Sequence, residues 1–248
     1  QEKFHPDCFA PYPEGFKTIK PNDFDSLKNA FDDTTAALFI ECIQGEGGVN
    51  LIDSQWAKEA AQAARNAGAI VMADEVQTGV GRTGYFLASD ELGFEPDVVT
   101  LAKGIAGGIP MGACLFRGKA KDIFVAGDHQ STFAGNPLAC AAAQVVLDTV
   151  NDKDFLYDVV QKGEYIRNVI KTWDIPIIRD VRGKGLMIGI QINSKVKPFD
   201  VEVKCLDNGL CTAIAGQDVL RFLPPLNISY NEIDEGLKIF RKSIESFC

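Results

Sequence analysis

The sequence predicts an α/β protein with a mostly parallel sheet flanked by helices over residues 1–150 and a smaller α+β domain over residues 151–248. Three observations support this prediction. Strand-like and helix-like runs alternate in the first part, one helix runs through a glycine directly into a strand, and the pattern changes near residue 150. With 248 residues, 46% of them hydrophobic, the chain is long enough for a sizeable core.

The first elements form a predicted βαβ unit. The run AALFIE at 36–41 predicts a strand. The run DSQWAKEAAQAARNAG predicts a helix that begins at Asp53 or Ser54 and ends at its final glycine. The run AIVMADE at 69–75 predicts the second strand. Because strand, helix and strand in this order form a parallel unit, both strands should end at the same edge of one sheet.

Two more strands and a helix complete the first part. The runs DVVTLA at 97–102 and GACLFRG at 112–118 predict the strands. The segment NPLACAAAQVVLDTVN predicts a helix from Asn136, with Pro137 in its first turn.

The second part begins with a polar helix predicted at 154–173. Two strand-like runs at 177–192 surround a glycine turn, and a terminal helix is predicted from Asn231. We therefore expect a domain boundary near residue 150.

Composition excludes several classes of partner. The net charge of -9 argues against nucleic acid or an anionic membrane surface, which would require a basic face. Apolar runs are all shorter than the ~18 residues needed to span a bilayer, and the first residues lack the pattern of a signal peptide, so we expect a cytoplasmic protein. Seven scattered cysteines predict reduced thiols. With His5 and His129 as the histidines, we expect no metal site.

Polar residues concentrate after the three predicted parallel strands. The strands lead into ECIQGEGGV, ADEVQTGVGRTG and LAKG. Parallel pairing should therefore gather residues 41–46, residues 74–77 and Lys103 at the carboxyl edge of the sheet. Taken singly, Lys103 could be a strand-end lysine that reaches water, and Asp74 a capping aspartate. The glycine-rich runs GEGG and GVGRTG fit neither the dinucleotide fingerprint nor the P-loop.

These motifs, together with STFAGNPLACAAA at 131–143 and VRGKGLMIGI at 181–190, resemble class III, fold-type I pyridoxal-phosphate aminotransferases from about residue 11 to the C-terminus. The resemblance implies pyridoxal 5'-phosphate as cofactor and Lys103 as the lysine that bonds to it. It further implies that Asp74 pairs with the pyridinium nitrogen.

Three more cofactor-binding residues follow from the resemblance. Val76 would pack on one face of the cofactor ring, and Gln77 would donate a hydrogen bond to its phenolic oxygen. Thr132 would reach the cofactor phosphate of the neighbouring subunit. The resemblance therefore implies a homodimer with shared active sites.

Substrate recognition is implied for two residues. Arg182 would bind the substrate carboxylate, and Glu46 would pair with Arg182 until a dicarboxylate arrives. The implied reaction transfers the amino group of N-acetylornithine, or a related ω-amine, to 2-oxoglutarate to give glutamate, in arginine biosynthesis. Ornithine and 4-aminobutyrate are alternative donors. A non-catalytic fragment that retains the fold is the alternative from another class.

The sequence departs from the family pattern in two places. Cys42 stands where the family usually has proline, which predicts a locally looser loop. A further N-terminal portion of the family, with a glycine-threonine phosphate loop, has no counterpart here. We therefore expect a truncated chain that, produced alone, binds pyridoxal phosphate weakly and does not turn over.

Overall fold

The computed structural model describes residues 10–248 and contains two four-stranded sheets, each packed against helices, and one two-stranded ribbon. The strands are β1 Ala37–Glu41, β2 Ile43–Gln44, β3 Asn50–Leu51, β4 Ile70–Asp74, β5 Val98–Leu101, β6 Ala113–Phe116, β7 Ile178–Lys184, β8 Met187–Ile192, β9 Ala213–Ala215 and β10 Val219–Phe222. The helices are α1 Phe24–Leu27, α2 Ser54–Asn66, α3 Ala88–Leu92, α4 Pro137–Val150, α5 Lys153–Lys171, α6 Pro198–Asp207 and α7 Tyr230–Glu245.

The first sheet has the order β1-β4-β5-β6, in which β1, β4 and β5 are parallel and β6 is antiparallel to β5. This arrangement confirms the predicted α/β class and the parallel βαβ unit. Helix α2 begins at Asp53, whose side chain accepts a hydrogen bond from the backbone N–H of Trp56 at 2.8 Å. Gly68 follows the helix with a φ of +85°, a left-handed conformation that glycine adopts without a steric penalty.

Helices α2 and α4 pack against the first sheet. One buried cluster joins the strands to α2 through Trp56 and a row of alanines: Ala57, Ala60, Ala61 and Ala64. A second cluster joins β5 to α4, where Val99 and Leu101 pack near Ala143 and Val150. Helix α4 begins as the sequence predicts, because the Asn136 side chain caps it and Pro137 occupies its first turn.

The second sheet is antiparallel, with the order β7-β8-β10-β9, and it packs against α5, α6 and α7. Its core includes the fully buried side chains of Ile188, Ile190, Leu220 and Phe240. The predicted glycine turn between the two strand-like runs is confirmed at residues 185–186, between β7 and β8.

The two large sheets occupy separate parts of the chain. The first lies within residues 37–116 and the second within residues 178–222, while α4 and α5 are joined at Asn151 and Asp152. We propose, on this basis, the domains that the sequence predicted, 1–150 and 151–248.

Two further features concern the sequence predictions on thiols and membranes. The six cysteines within residues 10–248 are free, and Cys8 and His5 lie outside the described residues. Between residues 10 and 248, every helix is too short or too polar to cross a membrane.

Candidate active site

The carboxyl edge of the first sheet brings together residues from three strands. Glu41 ends β1 and pairs in register with Asp74, which ends β4. Asp74 in turn pairs with Thr100 on β5, three residues before Lys103. The parallel register therefore places the predicted aspartate and lysine at one edge, because parallel strands end on the same side of their sheet.

Asp74 is half-buried and its carboxylate is fixed by two neighbours. Its Oδ1 accepts a hydrogen bond from the backbone N–H of Val76 at 3.0 Å and a longer one from the Thr100 hydroxyl at 3.4 Å. These bonds orient the side chain at the strand end. Val76 itself is half-buried in the turn that follows β4.

Lys103 begins a short 3-10 helix, Lys103–Ala106, directly after β5. Its φ is +54°, in the left-handed region, which costs a non-glycine residue on the order of 1–2 kcal/mol. Backbone strain of this kind concentrates at functional sites. Open space adjoins the lysine, since a Cβ added at Gly104 would have no heavy atom within 4 Å.

The surroundings of Lys103 shift its proton affinity in both directions. Lys103 is an exposed residue, but partial desolvation of its amine is the largest effect on its pKa and lowers it, and the charge of Arg221 acts in the same direction. The carboxylates of Glu46, Asp74 and Glu41 oppose this shift, but the net pKa lies below the ordinary value of lysine. A lysine with a lowered pKa is a better nucleophile near neutral pH.

Glu46 pairs with Arg221, so the predicted pair with Arg182 is wrong. Glu46 Oε1 accepts hydrogen bonds from Arg221 Nη1 at 2.7 Å and from Gln77 Nε2 at 3.0 Å. The same Nη1 donates to Gln77 Oε1 at 3.0 Å, which closes a three-residue network. Burial raises the pKa of Glu46, but the hydrogen bond and charge of Arg221 outweigh this effect and lower it.

Arg182, on β7, donates hydrogen bonds to the backbone of the turn between β2 and β3. Its Nε donates to the carbonyl oxygens of Gly48 and Val49 at 3.2 and 3.1 Å, and its Nη2 donates to Gly48 at 2.6 Å. Its Nη1 donates to Asp180 at 2.9 Å and to Gln191 at 3.0 Å. These contacts make Arg182 an anchor for the turn that carries Glu46.

Arg182 and Arg221 occupy equivalent places in the register of the second sheet. Gly189 on β8 lies opposite Arg182 on β7 and also opposite Arg221 on β10. Directly opposed residues project to the same face of a sheet, so both arginines share one row. The turn that carries Glu46 rests on this row, since a Cβ added at Gly189 would lie 2.8 Å from Val49 Cβ.

Arg221 is the functional residue that sequence reasoning missed. Its side chain is 10% exposed. Its Nε is buried and has no hydrogen-bond partner within the part of the chain that the structure describes. A charged residue inside the apolar strand VLRF was the available signal, because arginine is rarely buried without a specific partner.

Thr132 stands apart from this network in the single chain. It lies in an exposed turn at residues 132–135, and no hydrogen bond among residues 10–248 joins it to Lys103, Asp74 or Gln77. Its predicted role at a neighbouring subunit stays a prediction.

The buried carboxylate of Glu75 braces the segment that carries Asp74 and Gln77. Glu75 accepts hydrogen bonds from the backbone N–H of Ser89 at 2.7 Å and from the Cys42 thiol at 3.6 Å. Burial raises the pKa of Cys42, so its thiol stays protonated and able to donate. The cysteine that replaces the family's proline therefore contributes a contact beneath the candidate site.

Comparison with known proteins identifies the family to which the chain is similar. The "Aminotransferase class-III" family profile matches residues 5–244. The chain is 41% identical over 241 residues to the acetylornithine aminotransferase of Caldanaerobacter subterraneus subsp. tengcongensis, covering 96% of this chain and 61% of the relative. It also matches the ornithine aminotransferase structure from Toxoplasma gondii (TM-score 0.90, 34% identity, 97% of this chain and 58% of the other). A third match is N-acetylornithine aminotransferase from Stenotrophomonas maltophilia (TM-score 0.85, 34% identity, 95% and 64%).

The chain spans a little under two thirds of the length of these relatives. Within that span the match runs through both sheets and through the strand edge that carries Asp74 and Lys103. The chain belongs to the class-III aminotransferase family.

Proposed function

We propose that the protein acts as a pyridoxal-phosphate-dependent aminotransferase. The observation that carries this proposal is the convergence at one strand edge of a lysine with a lowered pKa, an oriented aspartate and a buried arginine paired with Glu46. A nucleophilic amine, a carboxylate and a carboxylate-binding cation are the groups that amino-group transfer requires. The structure of the T. gondii relative has PLP at the protein active site, at partial occupancy.

The chemistry of the donor set fits pyridoxal phosphate. Lys103 would supply an amine for the aldehyde, Asp74 a carboxylate for the ring nitrogen, and Gln77 an amide for the phenolic oxygen, while Val76 would pack on the ring. When bound, the cofactor supplies an electron-accepting ring. Asp74 would keep the ring nitrogen protonated, and Lys103 would hold the cofactor and then move a proton at the amino-bearing carbon of the substrate.

In this proposal Arg221 takes the carboxylate-binding role that the sequence assigned to Arg182. The guanidinium of Arg221 is buried and close enough to Lys103 for its charge to lower the pKa of that amine, and its planar geometry suits bidentate binding of a carboxylate. Glu46 neutralises Arg221 while an ω-amine substrate binds, and a dicarboxylate would displace Glu46 from it. One site would thereby accept two substrates of different charge.

For the substrates, we propose N-acetylornithine or a related ω-amine as donor and 2-oxoglutarate as acceptor, with glutamate as product, in arginine biosynthesis. Relatives named acetylornithine aminotransferase support the donor. Structural neighbours named ornithine aminotransferase keep ornithine as the second candidate. Comparing kcat/KM for the two donors in the full-length protein distinguishes them.

We also propose that the protein is cytoplasmic and forms a homodimer with shared active sites. Support comes from exposed apolar side chains within residues 115–145, the stretch of chain that includes Thr132, which a second copy would cover. They are Leu115, Ile123, Phe124, Val125, Phe133, Leu138 and Val145, each about half or more exposed.

The test of the proposal uses the full-length protein and its Lys103→Ala variant. We expect the variant to fold and to lose turnover, because the substitution removes both the cofactor-bonding amine and the proton carrier. Borohydride reduction with pyridoxal phosphate, followed by peptide mapping, should label Lys103 in the wild type. Lys119→Ala, at an exposed lysine, is the matched control and should keep full activity. A label on another lysine would remove Lys103 from this role.

A further inference from the structure

The motif GVGRTG, at residues 79–84, lies against the turn between β7 and β8 of the second sheet. Leu186 N–H donates to the carbonyl oxygen of Arg82 at 3.0 Å. A Cβ added at Gly185 would lie 2.6 Å from that oxygen and 2.5 Å from the carbonyl carbon of Thr83. The two backbones are therefore in direct contact, and the glycines in both segments allow this approach.

The side chain of Arg82 extends this contact to the exit of β10. Its Nη1 donates to the carbonyl oxygen of Leu186 at 3.1 Å and to that of Pro224 at 2.6 Å. Burial lowers the pKa of Arg82 to about 10, so the guanidinium remains charged at neutral pH. Pro224 lies three residues after Arg221.

Two contacts therefore join the same pair of segments. Gln77 meets Arg221, and five residues further along, Arg82 meets Pro224. The segment 77–82 is thus bound at both ends to the segment 221–224. Without the Arg82 side chain, the exit of β10 would lose the hydrogen bond at Pro224 that, together with the Gln77–Arg221 contact, fixes it against the segment 77–82.

We propose that Arg82 is a positioning residue that holds Arg221 at the place where a dicarboxylate substrate binds. This inference rests on the proposed function, in which Arg221 binds the substrate carboxylate. Arg82 acts through the Pro224 carbonyl and touches neither substrate nor cofactor. The glycine-rich motif GVGRTG, which does not fit a phosphate loop, thus connects the two parts of the structure.

Arg82→Lys in the full-length enzyme tests the proposal. Lysine keeps the positive charge and the aliphatic chain but replaces the planar guanidinium with a single ammonium group. We expect the Kd for 2-oxoglutarate, measured by calorimetry, to rise about tenfold, which lies within the range of coupling between residues that share a network of hydrogen bonds. The Kd for pyridoxal phosphate and the KM for the ω-amine donor should stay within about twofold, because Arg82 contacts neither ligand.

The matched control is Arg167→Lys. Arg167 Nη1 donates to the carbonyl oxygen of Gly185 at 3.1 Å, so it holds the same turn between β7 and β8 but does not reach Pro224. We expect this variant to bind 2-oxoglutarate as the wild type does. An equal loss of affinity for 2-oxoglutarate in Arg82→Lys and Arg167→Lys would show that the turn between β7 and β8 matters only for general stability. That result would overturn the proposal.

Coupling between Arg82 and Arg221 gives the second measurement. In the Arg221→Lys background, Arg82→Lys should add less than a twofold loss, because the residue it positions has already been altered. Additive losses would overturn the inference. Arg82→Gln, checked for folding by circular dichroism, should weaken binding of 2-oxoglutarate as much as Arg82→Lys does. Wild-type affinity for 2-oxoglutarate in both Arg82 variants would refute the inference. Failure of the wild type itself to bind 2-oxoglutarate would instead overturn the proposed function, and this inference with it.

Discussion

Glu46→Gln isolates the charge that faces Arg221. Glutamine keeps the shape of the side chain and a hydrogen-bonding oxygen, so the loop should retain its conformation while the negative charge disappears. Arg221 would then present an uncompensated positive charge to the substrate. We expect the affinity for 2-oxoglutarate to increase and the KM for the ω-amine donor to rise.

The contact geometry sets the size of this effect. Arg221 Nη1 lies 2.7 Å from Glu46 Oε1, with the arginine side chain 10% exposed and the glutamate side chain 67% exposed. Unit charges about 4 Å apart interact by about 1 kcal/mol in water and about 4 kcal/mol near a protein surface. Because the carboxylate is largely exposed, we take the lower part of this range, about 1–2 kcal/mol. That energy corresponds to a change in Kd of about 5- to 30-fold.

The pH dependence follows from the sign of the Glu46 pKa shift. Arg221 holds this pKa below the ordinary glutamate value despite the opposing effect of burial, so the carboxylate stays ionised at neutral pH. The stabilising pair is fully formed above the ordinary carboxyl pKa and is lost only as pH falls through the lowered value. The ratio of wild-type to variant Kd should therefore be constant between about pH 6 and 8.

Calorimetric titration of the full-length enzyme with 2-oxoglutarate measures the change. Glu95→Gln is the matched control, because Glu95 forms an ion pair with Arg117 in which both side chains are more than half exposed. The control should leave the Kd unchanged. An unchanged Kd in Glu46→Gln as well would show that Glu46 does not neutralise Arg221 toward the substrate, and would refute the reasoning.

Two further predictions concern the cofactor carboxylate and the dimer. Asp74→Asn should bind pyridoxal phosphate but slow the single-turnover step by about 100-fold or more, because the ring nitrogen loses its anionic partner; wild-type single-turnover rates would remove Asp74 from this role. Leu138→Asp, at a side chain that is 68% exposed on α4, should reduce the mass measured by sedimentation from two chains to one. Phe199→Asp, 61% exposed on α6 of the second part, is its control and should leave the mass unchanged, while an intact dimer in Leu138→Asp would exclude this surface.

Local signals were sufficient to predict the first sheet and the position of the site on it. Helix α2 begins at a capping aspartate and α4 at a capping asparagine followed by proline, as their sequences indicated. Alternation of strand and helix fixes parallel pairing, and parallel pairing puts strand ends at one edge. Asp74 and Lys103 were therefore predictable as neighbours of this edge from the positions where their strands end.

The partner of Glu46 could be decided only by the tertiary structure. Glu46 and Arg221 are separated by 175 positions in the chain, and no local pattern connects residues so far apart. Arg182 and Arg221 both lie opposite Gly189 and share one face of the second sheet, so composition and periodicity treat them alike. The resemblance of the sequence to a family implied that an arginine from the second part of the chain should meet the strand edge. Only the tertiary structure shows that this arginine is Arg221. The choice depends on the register of β7, β8 and β10 and on how the turn at residues 45–50 packs on these strands. Local sequence does not encode such packing between distant segments.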